Sequence, residues 1–182
     1  GQSKFTTQRK EDDKVEIISG VFNGMTTGTP ISLIVHNQDH KTKDYSEIKD
    51  KFRPGHADFT YQKKYGMRDY RGAGRSSARE TLARVAAGAI AKKYLLKSCK
   101  MKIYAFVSQL GELTPSKFQK SEIEKNPFFF PDRSMVDDLK NYLNNIRKSG
   151  DSIGAKVTVV AENVPIGLGD PVFDKVDALI AQ

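Results

Sequence analysis

"GAGRSSARETLARVAAGAIAKKY", residues 72–94, sets the frame for the whole chain. It opens on a flexible glycine turn, passes two serines and runs into small residues at helical spacing. Ser77-Ala78-Arg79-Glu80 matches a capping box, in which the Ser77 hydroxyl accepts from the Glu80 N–H and Glu80 reaches back. Leu82, Val85, Ala86, Ala89 and Ile90 fall on one helical stripe. A glycine such as Gly88 costs about 1 kcal/mol relative to alanine inside a helix. Its presence among so many alanines predicts a slim, buried helix with a close neighbour at Gly88. Arg75, Arg79 and Arg84 crowd the start of this helix. A helix N-terminus already carries partial positive charge and ordinarily attracts acids. An anionic ligand resolves the conflict.

Working outward, residues 14–36 ("KVEIISGVFNGMTTGTPISLIVH") read as two strands. Val15, Ile17, Ser19 and Val21 alternate, Ile31–Val35 is a β-branched apolar run, and Asn23-Gly24 and Gly28-Thr29-Pro30 are turn signals. Residues 37–52 are polar and read as a loop with a short helical turn at 45–51. Residues 53–75 mix glycine, aromatics and charge with little period, which predicts a long irregular loop of functional interest. Residues 101–110 form a third strand and 153–164 a fourth. Between them, 111–133 is a polar and aromatic connection broken at Asn126-Pro127. An amphipathic helix begins at Ser134, carries Met135, Leu139, Leu143 and Ile146, and stops at Gly150. "PVFDKVDALIAQ" (171–182) starts a further amphipathic helix with no stop signal by Gln182. This order of elements is α+β, and 182 residues suit one domain. The absence of an initiator methionine and the open last helix suggest a piece of a longer chain.

With 38% hydrophobic and 29% charged residues, the composition is that of a soluble globular protein. No apolar run reaches membrane-spanning length, and no signal-peptide pattern opens the chain. The single cysteine, Cys99, excludes an internal disulfide framework and fits a reducing cytoplasm. The net charge of +8 points to anionic partners. Lysines are scattered, but six of the nine arginines (Arg53, Arg68, Arg71, Arg75, Arg79, Arg84) lie between 53 and 84. Clustered arginine suits a two-pronged grip on phosphate or carboxylate.

Gly72-Ala73-Gly74-Arg75-Ser76-Ser77 has the outline of a dinucleotide fingerprint, but that motif needs a strand before it, and "MRDYR" is a poor one. Backbone N–H groups, two hydroxyls and Arg75 at a helix start still make an anion site, set against the plainer reading that the serines only cap the helix. His56, in Arg53-Pro54-Gly55-His56-Ala57-Asp58, is a candidate proton donor; a surface turn histidine is the commoner case. His36, Asp39 and His40 lack the spacing of a metal site, so no metal is expected. Tyr61, Tyr65, Tyr70 and Phe128–Phe130 could stack on bases, although packing is the commoner fate of such residues. Net charge and these tyrosines leave a basic nucleic-acid-binding module as the alternative, without any RRM, KH or zinc signature behind it.

Taken together, "RPGHADFTYQKKYGMRDYRGAGRSSARETLARVAAGAIAKKYL" (53–95) resembles the signature region of the chorismate synthases. "TTQRKEDDKVEIISGVFNGMTTGTPISLIV" (6–35) and "GDSIGAKVTVVAENVPIGLGDPVFDKVDALIA" (150–181) resemble the same family in the same order. The resemblance covers nearly the whole chain and is weakest at 110–135. It implies a β-α-β sandwich, with antiparallel sheets enclosing helices, assembled as a homotetramer. It implies a cytoplasmic lyase of aromatic amino acid biosynthesis, the shikimate pathway. The implied reaction is a 1,4-anti elimination of phosphate from 5-enolpyruvylshikimate 3-phosphate, giving chorismate. Reduced FMN is required without net redox change, with NADPH or an outside reductase as the source of electrons. The implied partner is that small phosphorylated substrate, with no nucleic acid and no membrane. By the same resemblance, Arg75, Ser76 and Ser77 contact flavin, and His56 protonates reduced flavin. Arg53 and Arg79 hold the substrate's phosphate and carboxylates. Lys4 stands where the family has a substrate-contacting arginine, keeping the charge but not the fork. The family's amino-terminal Gly-Glu-Ser-His-Gly stretch and carboxy-terminal Arg-x-Asp element are not in this sequence. These 182 residues are therefore expected to be one truncated domain that does not turn over alone.

Overall fold

The two amino-terminal strands expected over 14–36 are found as four short pieces. In the computed structural model, which describes residues 3–6, 12–37, 49–70, 77–169 and 175–182, the run from 14 to 36 is one antiparallel ribbon interrupted in the middle. β1 (Glu16–Ile17) pairs with β4 (Leu33–Ile34), and β2 (Val21–Phe22) pairs with β3 (Met25–Thr26). Asn23 (φ 48°) and Gly24 (φ 74°) close the inner hairpin with the two positive φ values a tight primed turn demands. Gly20 makes the break. Its φ is +81°, and a Cβ there would come within 2.7 Å of the Pro30 carbonyl oxygen and the Ile31 side chain. The Ser19 hydroxyl bridges the same gap, donating to the Pro30 carbonyl and accepting from the Ser32 N–H.

The stretch 53–70 is not wholly irregular. It holds α1 (Asp58–Tyr65), closed by Gly66 in the left-handed conformation with its N–H on the Gln62 carbonyl. This corrects the loop expected there. The helix carries no clean apolar stripe, so period alone missed it, and its stability rests on the cap and on Asp58 at its first turn.

α2 (Thr81–Cys99) follows a single 3₁₀ turn over Ala78–Glu80. The expected capping box is replaced by a simpler cap. The Ser77 hydroxyl accepts from the Arg79 N–H at 3.2 Å, while the Glu80 N–H binds the Ser77 carbonyl. The Glu80 side chain turns to Arg84 instead of reaching back. The expectation of a buried α2 is also overturned. None of its residues is buried, Val85 is 72% exposed, and among the described residues no atom outside the helix backbone stands within 4 Å of a Cβ at Gly88.

Contacts divide the chain into two units, residues 1–91 and 92–182. In the second, β5 (Lys102–Leu110) and β6 (Ala155–Glu162) pair antiparallel, from Lys102↔Glu162 to Leu110↔Ala155. A bulge falls between Val107 and Gln109, where the Ser108 hydroxyl binds Lys156 and Thr158. α3 (Val136–Ser149) has Asp137 and Asp138 in its first turn, Arg147 and Lys148 in its last, and Gly150 as its stop, all favourable to the helix dipole and cap. Met101, Ile123, Phe130 and Leu139 form the core. The Asn126 side chain ties the Phe128–Phe130 turn together. It accepts from the Phe128 and Phe130 N–H groups and donates to the Glu122 and Phe130 carbonyls. Phe130 is fully buried and packs, while Phe128 is half-buried and Phe129 is exposed. α4 (Val176–Ala181) is short and exposed. The architecture is mixed α+β with small antiparallel sheets. Among the described residues no helix is long and apolar enough to cross a membrane.

Candidate functional site

A carboxylate at the start of α1 gathers the polar side chains around it. Asp58 is 2% exposed. A charge so buried needs partners, because desolvation strongly disfavours it alone. Arg53 supplies three contacts, the backbone N–H at 3.0 Å and Nε at 2.8 Å on Oδ2, and Nη2 at 2.9 Å on Oδ1. This is the two-pronged guanidinium–carboxylate geometry. His56 Nδ1 lies 2.9 Å from Oδ1. Arg68 Nη1 stands 3.7 Å from the same oxygen. The tight loop through Pro54-Gly55, with Gly55 at φ 65°, folds Arg53 and His56 back onto the helix start. The Arg53 hydrogen bonds outweigh burial and hold the Asp58 carboxyl well below the usual carboxylate range, helped by the nearby charges of Arg53 and His56.

Arg68 performs a different task from the one its place in the arginine cluster suggests. Its Nη2 donates to the Lys49 and Lys51 carbonyls at 2.7 Å each, and its guanidinium lies over the Phe52 ring. The segment entering the loop is thus stapled to the segment leaving α1. Phe52 in turn meets Phe59 edge to face, with ring centres 5.4 Å apart.

The start of α2 forms a second group. Ser77 caps it, and Arg79 reaches Asp13, with Nη2 2.9 Å from Oδ1. Arg84 pairs with Glu80 one turn back. Two of the three arginines that raised the charge question therefore meet carboxylates of the chain itself. Arg75 and Ser76, the expected flavin contacts, lie outside the described residues, as do Arg71, Asp39 and His40. Lys4 sits over the Phe5 ring at 4.9 Å. His36 is exposed at the exit of β4.

Of the residues singled out from sequence, Arg53 and His56 are thus brought together directly, and Ser77 and Arg79 are neighbours. Sequence reasoning named Asp58 only as a neighbour of His56 and missed it as the hub. The available signal was charge balance: Asp58 is the lone acid between Arg53 and Arg68. The donor set of guanidinium, imidazole and hydroxyl suits a phosphorylated or carboxylated ligand. Among the described residues no three His, Cys, Asp or Glu side chains gather as metal ligands.

A profile of the chorismate synthase family matches residues 1–182. The chain belongs to the chorismate synthase family. It is 65% identical over 181 residues to the chorismate synthase of Francisella tularensis subsp. novicida (strain U112), and equally to that of Francisella tularensis subsp. tularensis (strain WY96-3418). Each match covers 100% of this chain and 51% of the relative, so the chain spans about half the length of the curated relatives it matches. A crystal structure of a chorismate synthase superposes with a TM-score of 0.67 at 32% identity, over 86% of this chain and 46% of that one. The α+β fold expected from sequence is the fold observed.

Proposed function

We propose that these residues are part of the single domain of a chorismate synthase, a lyase eliminating phosphate from 5-enolpyruvylshikimate 3-phosphate to give chorismate. The observation that carries the reading is 65% identity along the entire chain, over a segment that clusters a histidine and an arginine on one buried carboxylate. In this role His56 holds and moves a proton at its imidazole. It is a quarter exposed, so the ring is anchored and yet reachable. Arg53 and Arg79 orient the anionic groups of the substrate, with Lys4 as a further cation. Two or three charge-assisted contacts of roughly 1.5–3 kcal/mol each offset the crowding of those cations. Arg79 exchanges Asp13 for the ligand when the ligand binds. Ser77, with Arg75 and Ser76, holds the cofactor, whose phosphate suits a capped helix start. Reduced FMN, when bound, supplies an electron-rich ring for an elimination with no net redox change, and NADPH is one source of its reduction. The reaction is cytoplasmic and the assembly a homotetramer in this reading. The exposed apolar residues of α2, β2 and β3 are covered there by the remainder of the full-length protein, and the 182 residues alone do not turn over.

The test uses the full-length protein carrying this sequence. Adding FMN with substrate is expected to perturb the flavin spectrum. His56→Ala is expected to bind substrate but to lose about 10²–10⁴-fold in turnover, the usual worth of a positioned acid–base group. Wild-type turnover in His56→Ala removes His56 from the mechanism, and an unperturbed flavin spectrum rejects the reading as a whole.

A further inference from the structure

We infer that Asp58 is a positioning residue, whose carboxylate holds His56 as the Nδ1–H tautomer, turns Nε2 outward as the nitrogen that exchanges a proton, and clamps Arg53 beside it. The inference deepens the proposed role of His56 and rests on that reading for its consequence in turnover. Its structural half stands on geometry alone.

Donors and acceptors decide the tautomer. An ionised carboxylate only accepts. Asp58 Oδ1 faces His56 Nδ1 at 2.9 Å, so a proton must lie between them, and it sits on the nitrogen. The competing arrangement gives Nδ1 a lone pair and lets it accept from Arg53 Nη2, 3.3 Å away. That contact is the longer of the two, and it would set the nitrogen lone pair against a carboxylate oxygen. It would also draw Nη2 from its 2.9 Å bond to Oδ1. The Nδ1–H tautomer matches donor to acceptor between His56 and Asp58, and the other leaves two acceptors facing each other. With Nδ1 committed, Nε2 is the ring nitrogen left to work. A protonated ring gives up its Nε2 proton and returns to the neutral Nδ1–H form, while Asp58 stays a carboxylate throughout.

The geometry is over-determined. Asp58 is the first residue of α1, where its charge meets the helix dipole favourably. Its Oδ2 is fixed by both the backbone N–H and Nε of Arg53, so the carboxylate plane cannot turn away from His56. Arg68 closes the far side through Lys49 and Lys51. Asp58 therefore acts through His56 and Arg53 and has no need to touch a ligand.

The experiment is ring ¹⁵N NMR of histidine-labelled full-length protein above neutral pH, with His56→Ala used to assign the His56 signals. The expected wild-type spectrum shows a protonated Nδ1 and an unprotonated Nε2. A neutral His56 ring protonated at Nε2 and not at Nδ1 in the wild-type protein overturns the inference, whatever any variant does. Asp58→Asn is expected to shift the ring toward the Nε2–H form and to lower kcat about 10–100-fold, the usual cost of losing an orienting partner. In a His56→Ala background the same change is expected to leave kcat at saturating substrate within about twofold, because the share that acts through His56 does not add, while the share that acts through Arg53 raises KM. A full kcat loss for Asp58→Asn in that background, or an unchanged tautomer in Asp58→Asn, refutes the positioning role. Wild-type turnover in His56→Ala with the Nδ1–H tautomer intact refutes the catalytic reading and leaves the tautomer assignment standing.

Discussion

Two buried aspartates, Asp58 and Asp132, solve the same problem with different partners. Asp58 is 2% exposed and Asp132 1%. Asp132 is surrounded by neutral donors. Its Oδ2 accepts from the Ser116 and Lys117 N–H groups, and its Oδ1 accepts from the Ser134 N–H and, at 2.6 Å, the Ser134 hydroxyl. It caps the 3₁₀ turn before α3 and pins the 116–117 loop to it. Asp58 is surrounded by the Arg53 and Arg68 guanidiniums and the His56 imidazole, and Arg53 and His56 are each a quarter exposed. Both carboxyls are pulled below the usual range, Asp132 chiefly by the Ser134 hydroxyl and Asp58 chiefly by Arg53. A low carboxyl pKa therefore does not distinguish a staple from a site. The partners do. Backbone amides are spent once the loop is built, whereas a part-exposed guanidinium and imidazole still face outward with chemistry to offer.

The largest expected effect follows from deleting the cation-bound carboxylate. Asp58→Ala leaves Arg53 and Arg68 crowded without their counter-charge and should cost about 3 kcal/mol in urea unfolding. That is the low end for breaking a buried pair, because Arg53 and His56 keep about a quarter of their side chains in solvent. Asp132→Ala should unfold at lower urea than wild type but higher than Asp58→Ala, since it strands neutral donors and no charge. The reverse order would break the comparison.

A packing change separates structure from chemistry. Gly20→Ala forces a side chain into positive φ and against Pro30 and Ile31. It should cost roughly 2 kcal/mol and leave kcat of the full-length protein unaltered. A kcat loss would place the β1–β4 ribbon in the chemistry.

The pH dependence sharpens the comparison further. The folded Asp58 carboxyl binds a proton more weakly than its ordinary value of 3.8, so the unfolded chain takes up more protons in acid. The stability it contributes is full above about pH 5 and falls progressively below about pH 4. Asp132 is lowered too and adds to the same slope. Asp58→Asn and Asp132→Asn should each flatten the acid limb of a urea–pH series, and an unchanged limb in either variant would contradict the assigned ionisation. The smallest effect is expected at the surface. Arg84 pairs with Glu80 on the face of a helix and is 72% exposed, so Arg84→Ala should shift stability by no more than about 0.5 kcal/mol.

Sequence made the regular parts legible where local signals agree with packing. Asn23-Gly24 closes a hairpin because only such residues adopt its dihedrals cheaply. β5, β6 and α3 carry full alternation or a full apolar stripe, and Gly150 stops α3 as read. The misses have physical reasons. α1 is too short and polar to show a period. The stripe on α2 marks a face that the described residues leave exposed, because periodicity shows which side chains share a face and not what covers them. At the site, Arg53 and His56 were legible as residue types, and their juxtaposition was not, because it depends on Asp58 turning inward. Arg68 was counted among the anion-gripping arginines, yet backbone carbonyls and a phenylalanine ring occupy it.

The most direct measurement is kcat at saturating substrate for Asp58→Asn and Asp132→Asn in the full-length protein, at a temperature where both are folded. The predicted result is a loss for Asp58→Asn and a wild-type kcat for Asp132→Asn, although both are destabilised. Equal kcat values for the two variants would show that the cations around Asp58 are held for structure alone.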